Sequence, residues 1–321
     1  EYVNEPSMLN LIQPPEGYTS ADYRRDYARF VRWIRKASPR TLVLAPGTAE
    51  LGEPIRTLSR QTQHVIETDE LLGPDSPKPD VFSFHYYGGS SERCGGAMMG
   101  TTLANALTPK WLDSVDVALR RLTEERDRIT PGLPMWNTES AEAACGGNPW
   151  AASFADSFRF VDTLGRSARQ GVRVFMHNTL AASDYALLDE KDFTPRPNYW
   201  AAVLWKRTMG TTVLAAPASP SPELRLYAHC LPGGKGGVGL AAINIGTSAQ
   251  SVPTGSKASV WVMTGEPLDT RDVRVNGQKP ALAPSAELTG LTGASVQGDL
   301  ILPGKAIAFL SVAGANNPAC H

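Results

Sequence analysis

Leu133-Pro134-Met135-Trp136-Asn137-Thr138-Glu139-Ser140 is a short apolar run that ends on a carboxylate. It is too short for a helix, is bounded by proline and carries an aromatic, so 133–138 reads as a strand whose C-terminal end presents Glu139. The same arrangement recurs along the chain. Upstream, Tyr2-Val3 leads into Asn4-Glu5-Pro6, and Val81-Phe82-Ser83-Phe84 leads into His85-Tyr86. Downstream, Val172-Arg173-Val174-Phe175-Met176 leads into His177-Asn178. A further run, Thr41-Leu42-Val43-Leu44-Ala45, is broken by Pro46-Gly47. Helical patterns separate these runs. The first covers 20–36, opens with Thr19 and Asp22 at capping-box spacing, and gathers Tyr23, Tyr27, Phe30, Val31 and Ile34 on one face. A weaker one covers 54–70, and another opens at Thr108-Pro109. A fourth follows Asn148-Pro149, lines up Trp150, Phe154, Phe158, Val161 and Leu164, and stops at Gly171. The last covers 199–209. Repeated strand–helix units imply a parallel sheet with helices packed outside it.

Near Gly210 the texture changes. Pro217, Pro220 and Pro222 mark a loop, and short alternating strands follow at 224–227, 239–243, 260–263, 300–302 and 307–312. Residues 1–209 therefore read as an α/β domain and 210–321 as a small β-sandwich. Five strands do not close a (β/α)8 barrel. The texture alone fits an open doubly wound sheet as well as a barrel whose other three units lie upstream. The polar residues decide for the barrel, because they sit at the C-terminal ends of the strands, where such barrels carry their active sites.

A chain of 321 residues is long enough for a sizeable core. The net charge of −1 leaves no basic excess for nucleic acid, and no apolar run approaches a membrane span. Cys94, Cys145, Cys230 and Cys320 lack the short spacings of zinc sites, and neither metal nor cofactor is expected. Cysteines this scattered suit one or two disulfides in an exported protein, or unrelated thiols in a cytosolic one. The opening residues read as the end of a strand, which suggests a fragment of a longer polypeptide.

Glycoside hydrolysis needs two carboxyl groups across the scissile bond, about 5–5.5 Å apart when configuration is retained. Glu5 and Glu139, at the ends of strands three units apart, can meet that requirement across a barrel mouth.

Asn4-Glu5-Pro6 after an apolar strand resembles the acid/base motif of the barrel glycosidase clan that carries its glutamates on the fourth and seventh strands. Within that clan one family fits nearly the whole chain. Trp136-Asn137-Thr138-Glu139-Ser140 with Ala144-Cys145-Gly146-Gly147 resembles the nucleophile strand and glycine turn of the heparanases. The stretch from Phe154 through Ser167-Ala168-Arg169-Gln170-Gly171 to Asp184-Tyr185-Ala186-Leu187-Leu188-Asp189 and Pro197-Asn198-Tyr199-Trp200 follows the same family, as do Leu224 to Cys230 and the near-terminal Ala319-Cys320.

The resemblance implies a retaining β-glucuronidase. This chain would supply strands four to eight of the barrel plus the C-terminal sandwich, and the first three units would belong to a segment upstream of Glu1. Glu139 would be the nucleophile and Glu5 the general acid/base, held protonated by its neighbour's charge. Asn4 would bind the sugar 2-hydroxyl and Tyr86 would orient Glu139. His85 would be a neighbour of the site, Asn178 and Tyr185 would face the sugar, and Gly146, Gly147 and Tyr185 would grip a uronate carboxylate. Cys230 and Cys320 would be bridged. Cys94 and Cys145, both on loops at the same face, are candidates for a second bridge. The partner implied is a uronate-containing oligo- or polysaccharide, met outside the cytoplasm, secreted or periplasmic.

The chain departs from the family where its heparan-binding basic clusters lie. Those places read Ser7-Met8-Leu9-Asn10-Leu11 and Gly47-Thr48-Ala49-Glu50-Leu51, without cations for sulfate. A clan-related β-xylosidase or α-arabinofuranosidase, and a glycan-binding protein without catalysis, are the rival readings.

Overall fold

A computed structural model describes residues 1–8, 13–51, 66–233 and 235–321. Most of the helix expected over 54–70, and part of the cation-free stretch from Ser7 to Leu11, lie outside the described residues. The chain condenses into two compact units that interleave along the sequence. The first comprises 1–101, 113–145 and 166–178, and the second 102–112, 146–165 and 179–321.

In the first unit four strands form a wholly parallel sheet in chain order: β1 (Leu44–Leu51), β2 (Val81–Tyr87), β3 (Met135–Ala141) and β4 (Val172–His177). The helix α1 (Ser20–Ala37) begins at the expected capping box, with Asp22 accepting from the Thr19 amide at 3.0 Å. Its Tyr23, Tyr27 and Val31 pack with Val43 and Ala45 beside the sheet. Tyr2 is not in a strand. Its ring lies against those of Tyr23 and Phe30, with centroids 5.8 and 5.3 Å away, so the opening residues are held by aromatic packing rather than by a ladder. A short helix, α2 (Thr68–Leu71), precedes β2. The single helix expected from Thr108-Pro109 is replaced by two, α3 (Pro109–Leu112), which belongs to the second unit, and α4 (Ser114–Ile129) of the first.

β2 is buried along its whole length, although half of it is polar. Phe82, Phe84 and Tyr86 alternate onto one face and pack with Val115, Ala118, Leu119 and Leu122 of α4. Ser83, His85 and Tyr87 face the other way. The ladder is irregular at two points that matter. β1 does not stop at Pro46-Gly47 but runs through it, slipping register between Pro46 and Thr48. Gly47, at φ +70°, takes the extra step. On the other side Phe84 pairs with Asn137, but His85 pairs with Glu139, which leaves Thr138 as a bulge in β3.

In the second unit, α5 (Phe154–Arg169) contributes its first three turns, and α6 (Pro197–Thr208) packs on two strands of an antiparallel sheet. That sheet is seven-stranded, with β5 (Val213–Leu214), β6 (Leu224–Cys230), β7 (Val238–Asn244), β15 (Ala306–Val312), β9 (Ala258–Thr264) and β10 (Arg274–Val275) in spatial order, and β13 (Ala294–Val296) also on β9. The pair β8 (Gln250–Val252) and β14 (Leu300–Leu302) adds Val252, Leu300 and Leu302 to the apolar cluster of Leu224, Leu226, Leu240, Val260 and Leu310. A second small pair joins β11 (Ala281–Leu282) to β12 (Leu288–Thr289).

Disulfides join Cys230 to Cys320 and Cys94 to Cys145, and no cysteine is free. Asp162 of α5 accepts from Arg225 at 2.9 Å and from the Tyr227 hydroxyl at 2.5 Å, and both oxygens are thereby used inside the unit. Removing one partner of a buried charged pair strands the other without compensation. Asp162→Ala should therefore cost about 3–5 kcal/mol. Urea unfolding measures it, and a loss below about 1 kcal/mol would show that Arg225 finds water or another partner.

Candidate active site

The bulge at Thr138 decides which way Glu139 points. In a regular ladder His85 would pair with Thr138, and Glu139 would fall on the face occupied by α4. With one residue inserted, Glu139 pairs with His85 and shares its face. Glu139 stands within the strand rather than beyond its end, as 133–138 had suggested.

His85 is the centre of the cluster. Its ring is 2 % exposed. Nδ1 lies 3.0 Å from Glu5 Oε1 and 3.7 Å from Glu139 Oε2. On the opposite side Nε2 lies 3.6 Å from Glu1 Oε2. Burial disfavours the charged ring, but its contacts with Glu1 and Glu5 and the charge of Glu139 more than compensate, so its pKa is raised to about 9. Burial also pushes the Glu1 carboxyl up, and contacts with His85 and with the Thr138 hydroxyl, which donates at 2.7 Å, outweigh it and bring it to about 2.

The Tyr87 hydroxyl donates to Glu139 Oε1 at 2.6 Å, and the Asn178 amide reaches the same oxygen at 3.3 Å and the Tyr87 oxygen at 3.0 Å. Tyr86, expected to orient Glu139, does not. It lies on the α4 face and its hydroxyl pairs with Ser114 at 3.0 Å. The period of two explains the error, because His85 and Tyr87 share a face and Tyr86 does not. Glu5 itself sits at φ +46°, a left-handed backbone that costs a non-glycine residue about 1–2 kcal/mol. Its carbonyl accepts from the Met8 amide at 2.9 Å, and the Ser7 hydroxyl accepts from the Ala49 amide at 3.1 Å, so the strained turn is tied to β1. Asn4 is exposed.

Glu5, His85 and Glu139 each offer a donor atom, all within 4.8 Å of one another. A metal would need a bare imidazole nitrogen there. With its pKa raised to about 9 the ring carries a proton near neutral pH, and a metal would have to displace that proton to bind.

Gly146, Gly147 and Tyr185 belong to the second unit, where the structure brings the last two together. The Gly146 carbonyl accepts from Asp184 at 3.2 Å, and a Cβ on Gly147 would meet the Tyr185 ring at 2.8 Å. Arg196 holds the turn by donating to the Asp184 carbonyl at 2.7 Å and to Asp189 at 3.0 Å. Sequence reasoning missed Glu1, Tyr87 and Thr138. Only Tyr87 had a signal, its parity with His85.

No protein-family model matches the chain. Heparanase-like protein 1 of Arabidopsis thaliana is 32% identical over 198 residues, which are 61% of this chain and 35% of that protein. Heparanase of Mus musculus is 29% identical over 205 residues, 56% of this chain and 37% of that protein. The chain is related to the heparanases. Inactive heparanase-2 of Mus musculus, another member of the group, is 24% identical over 308 residues, 84% of this chain and 51% of its own length. The chain thus spans between 35% and 51% of these heparanase-type relatives. In fold it resembles glycoside hydrolases. A 4-O-α-L-rhamnosyl-β-D-glucuronidase from Fusarium oxysporum superposes with a TM-score of 0.67 at 13% identity, over 97% of this chain and 69% of that one. A bifunctional glucanase-xylanase from a metagenome library gives 0.60 at 18% identity, over 96% and 63%.

The two pKa shifts set a window of stability. The raised His85 pKa contributes fully below its ordinary 6.5 and is lost as pH rises through about 9. The lowered Glu1 pKa contributes fully above its ordinary 4.5 and is lost as pH falls through about 2. His85→Gln should therefore destabilise most between pH 4.5 and 6.5, with the deficit shrinking toward pH 9. Urea titrations of both proteins across pH measure this, and a deficit independent of pH would contradict it.

Proposed function

We propose that this chain carries the catalytic pair of a retaining β-glucuronidase, acting on uronate-containing oligo- or polysaccharides. One observation carries the reading: Glu5 and Glu139 present carboxylate oxygens within 4.8 Å of each other on one face of the sheet. Carboxylates that approach this closely are in keeping with the ~5–5.5 Å carboxyl spacing of double displacement. In this reading the four parallel strands and the turn at Glu5 are part of a (β/α)8 barrel completed by the rest of the polypeptide, and the antiparallel sheets form the sandwich. Two disulfides suit an oxidising, extracytoplasmic compartment.

Glu139 attacks the anomeric carbon and forms a glycosyl-enzyme, while Glu5 gives its proton to the leaving oxygen. Glu5 then takes a proton from water as water attacks the same carbon and releases Glu139. Tyr87 and Asn178 hold the attacking carboxylate in place by one oxygen, so the other faces the substrate. Asn4 binds the 2-hydroxyl. Gly146 and Gly147 offer backbone N–H groups to the uronate carboxylate, unobstructed by any Cβ, and Tyr185 adds a hydroxyl.

A non-catalytic glycan binder is the second reading, favoured by the similarity to a relative named inactive over most of this chain. Mutants separate the two. Glu139→Gln should abolish turnover on every glycoside. Glu5→Ala should lose about 10²–10⁴-fold on a natural glucuronide, yet keep most of its rate on nitrophenyl glycosides, whose leaving group needs little protonation. Near-normal rates in both variants would exclude the assignment.

The sugar preference has its own test. Each charge-assisted bond to the uronate is worth roughly 1.5–3 kcal/mol, about ten- to a hundredfold in kcat/KM. Nitrophenyl β-glucuronide should therefore be preferred by at least about tenfold over the β-glucoside and β-xyloside. Equal or better rates on the neutral sugars would remove the uronate and leave the two-glutamate mechanism in place.

A further inference from the structure

Glu1 has no part in the mechanism above, and its side chain is nevertheless only 19% exposed. Its surroundings are specific. One carboxylate oxygen faces Nε2 of His85 at 3.6 Å. The other accepts from the hydroxyl of Thr138 at 2.7 Å, and Thr138 is the bulge residue that turns Glu139 onto the His85 face. On the third side is Gly47, where β1 slips register. A Cβ there would stand 3.2 Å from the Glu1 carboxyl carbon. The carboxylate thus occupies a niche built by the irregularities of two strands.

We propose that Glu1 is a positioning residue that anchors the His85 ring by Nε2, so that Nδ1 is turned toward Glu5 and Glu139. The proposal rests on the two-glutamate reading for its meaning in catalysis, but not for its geometry. A carboxylate facing Nε2 favours the ring orientation that turns Nδ1 toward the acid/base at 3.0 Å and the nucleophile at 3.7 Å. Among the described residues, the ionisable groups facing His85 are Glu1 and Glu5 from the opening segment and Glu139 from β3. Pro46, Gly47, Thr48 and Ala49 of β1 add none, and Tyr87, on the same face of β2, reaches Glu139. With Glu1 neutralised, the ring keeps two carboxyl neighbours, both on Nδ1. The raised pKa of His85 and the lowered pKa of Glu1 agree with a mutual contact.

The test is Glu1→Gln in the intact protein, read first by nitrogen-15 NMR of the histidine rings across pH. The His85 midpoint should fall by about 1–3 units, as expected when one opposite charge at this range is removed. Glu1→Asp, which keeps the charge on a shorter arm, should recover part of the shift, and it gives the same comparison if Glu1→Gln does not fold. On nitrophenyl β-glucuronide, kcat should fall about tenfold with KM within about twofold, because Glu1 touches no sugar. An unshifted His85 midpoint in a folded Glu1→Gln protein would overturn the anchor and leave the proposed function standing. A shifted midpoint in a protein that hydrolyses no glycoside would do the reverse, since the NMR reading needs no substrate.

Discussion

A buried imidazole with carboxyl groups at both of its nitrogens is the constraint around which the first unit is arranged. His85 cannot be neutral and isolated there, because three acidic side chains would then converge with nothing between them. Nor could it be charged and alone, since an unpaired ion in a dry interior costs several kcal/mol. The cluster is tolerable only as a set. That explains why the polar half of β2 is as thoroughly buried as its apolar half. It also explains why the ladder is deformed on both sides of His85: at Gly47 to leave space for one carboxylate, and at Thr138 to swing another into place.

The apolar face of the same strand compensates for that arrangement. Phe82, Phe84 and Tyr86 pack against α4, where the Tyr86 hydroxyl is paired with Ser114, and the left-handed turn at Glu5 is pinned to β1 through Ser7. These supports hold Glu5, His85 and Glu139 in one cluster. The second unit uses buried charge differently. Asp162 there accepts from Arg225 and Tyr227, so it serves as a fastening between α5 and the antiparallel sheet.

The parts of this organisation that follow from periodicity were readable from the residues. The helix α1 with its cap, the four apolar strands β1 to β4 and the two glutamates as a pair all announce themselves by local pattern, though neither glutamate ends a strand. The alternating strands after Gly210 do too. Tyr87 was readable and missed in favour of Tyr86, since the alternation that puts Phe82 and Phe84 on one face also puts Tyr86 with them. The bulge was not readable, because threonine is a good strand residue and nothing in Trp136-Asn137-Thr138-Glu139 distinguishes an inserted residue from a paired one. Pro46-Gly47 misled in the opposite direction: it looks like a strand end and is a slip within one. Glu1 gave no signal at all, because its role depends on a niche formed by residues 46 and 137 positions away.

The inserted threonine also bears on how such chains are compared. An alignment program scores Thr138 as one column among many, and a gap placed there costs little. Structurally that column sets the parity of everything after it in β3. A relative one residue shorter at this point could keep every glutamate and tyrosine, score nearly as well, and present its carboxylate to a helix instead of to the face that His85 occupies. Whether two members of such a group share chemistry is therefore a matter of counting residues between landmarks, and identity alone does not record it.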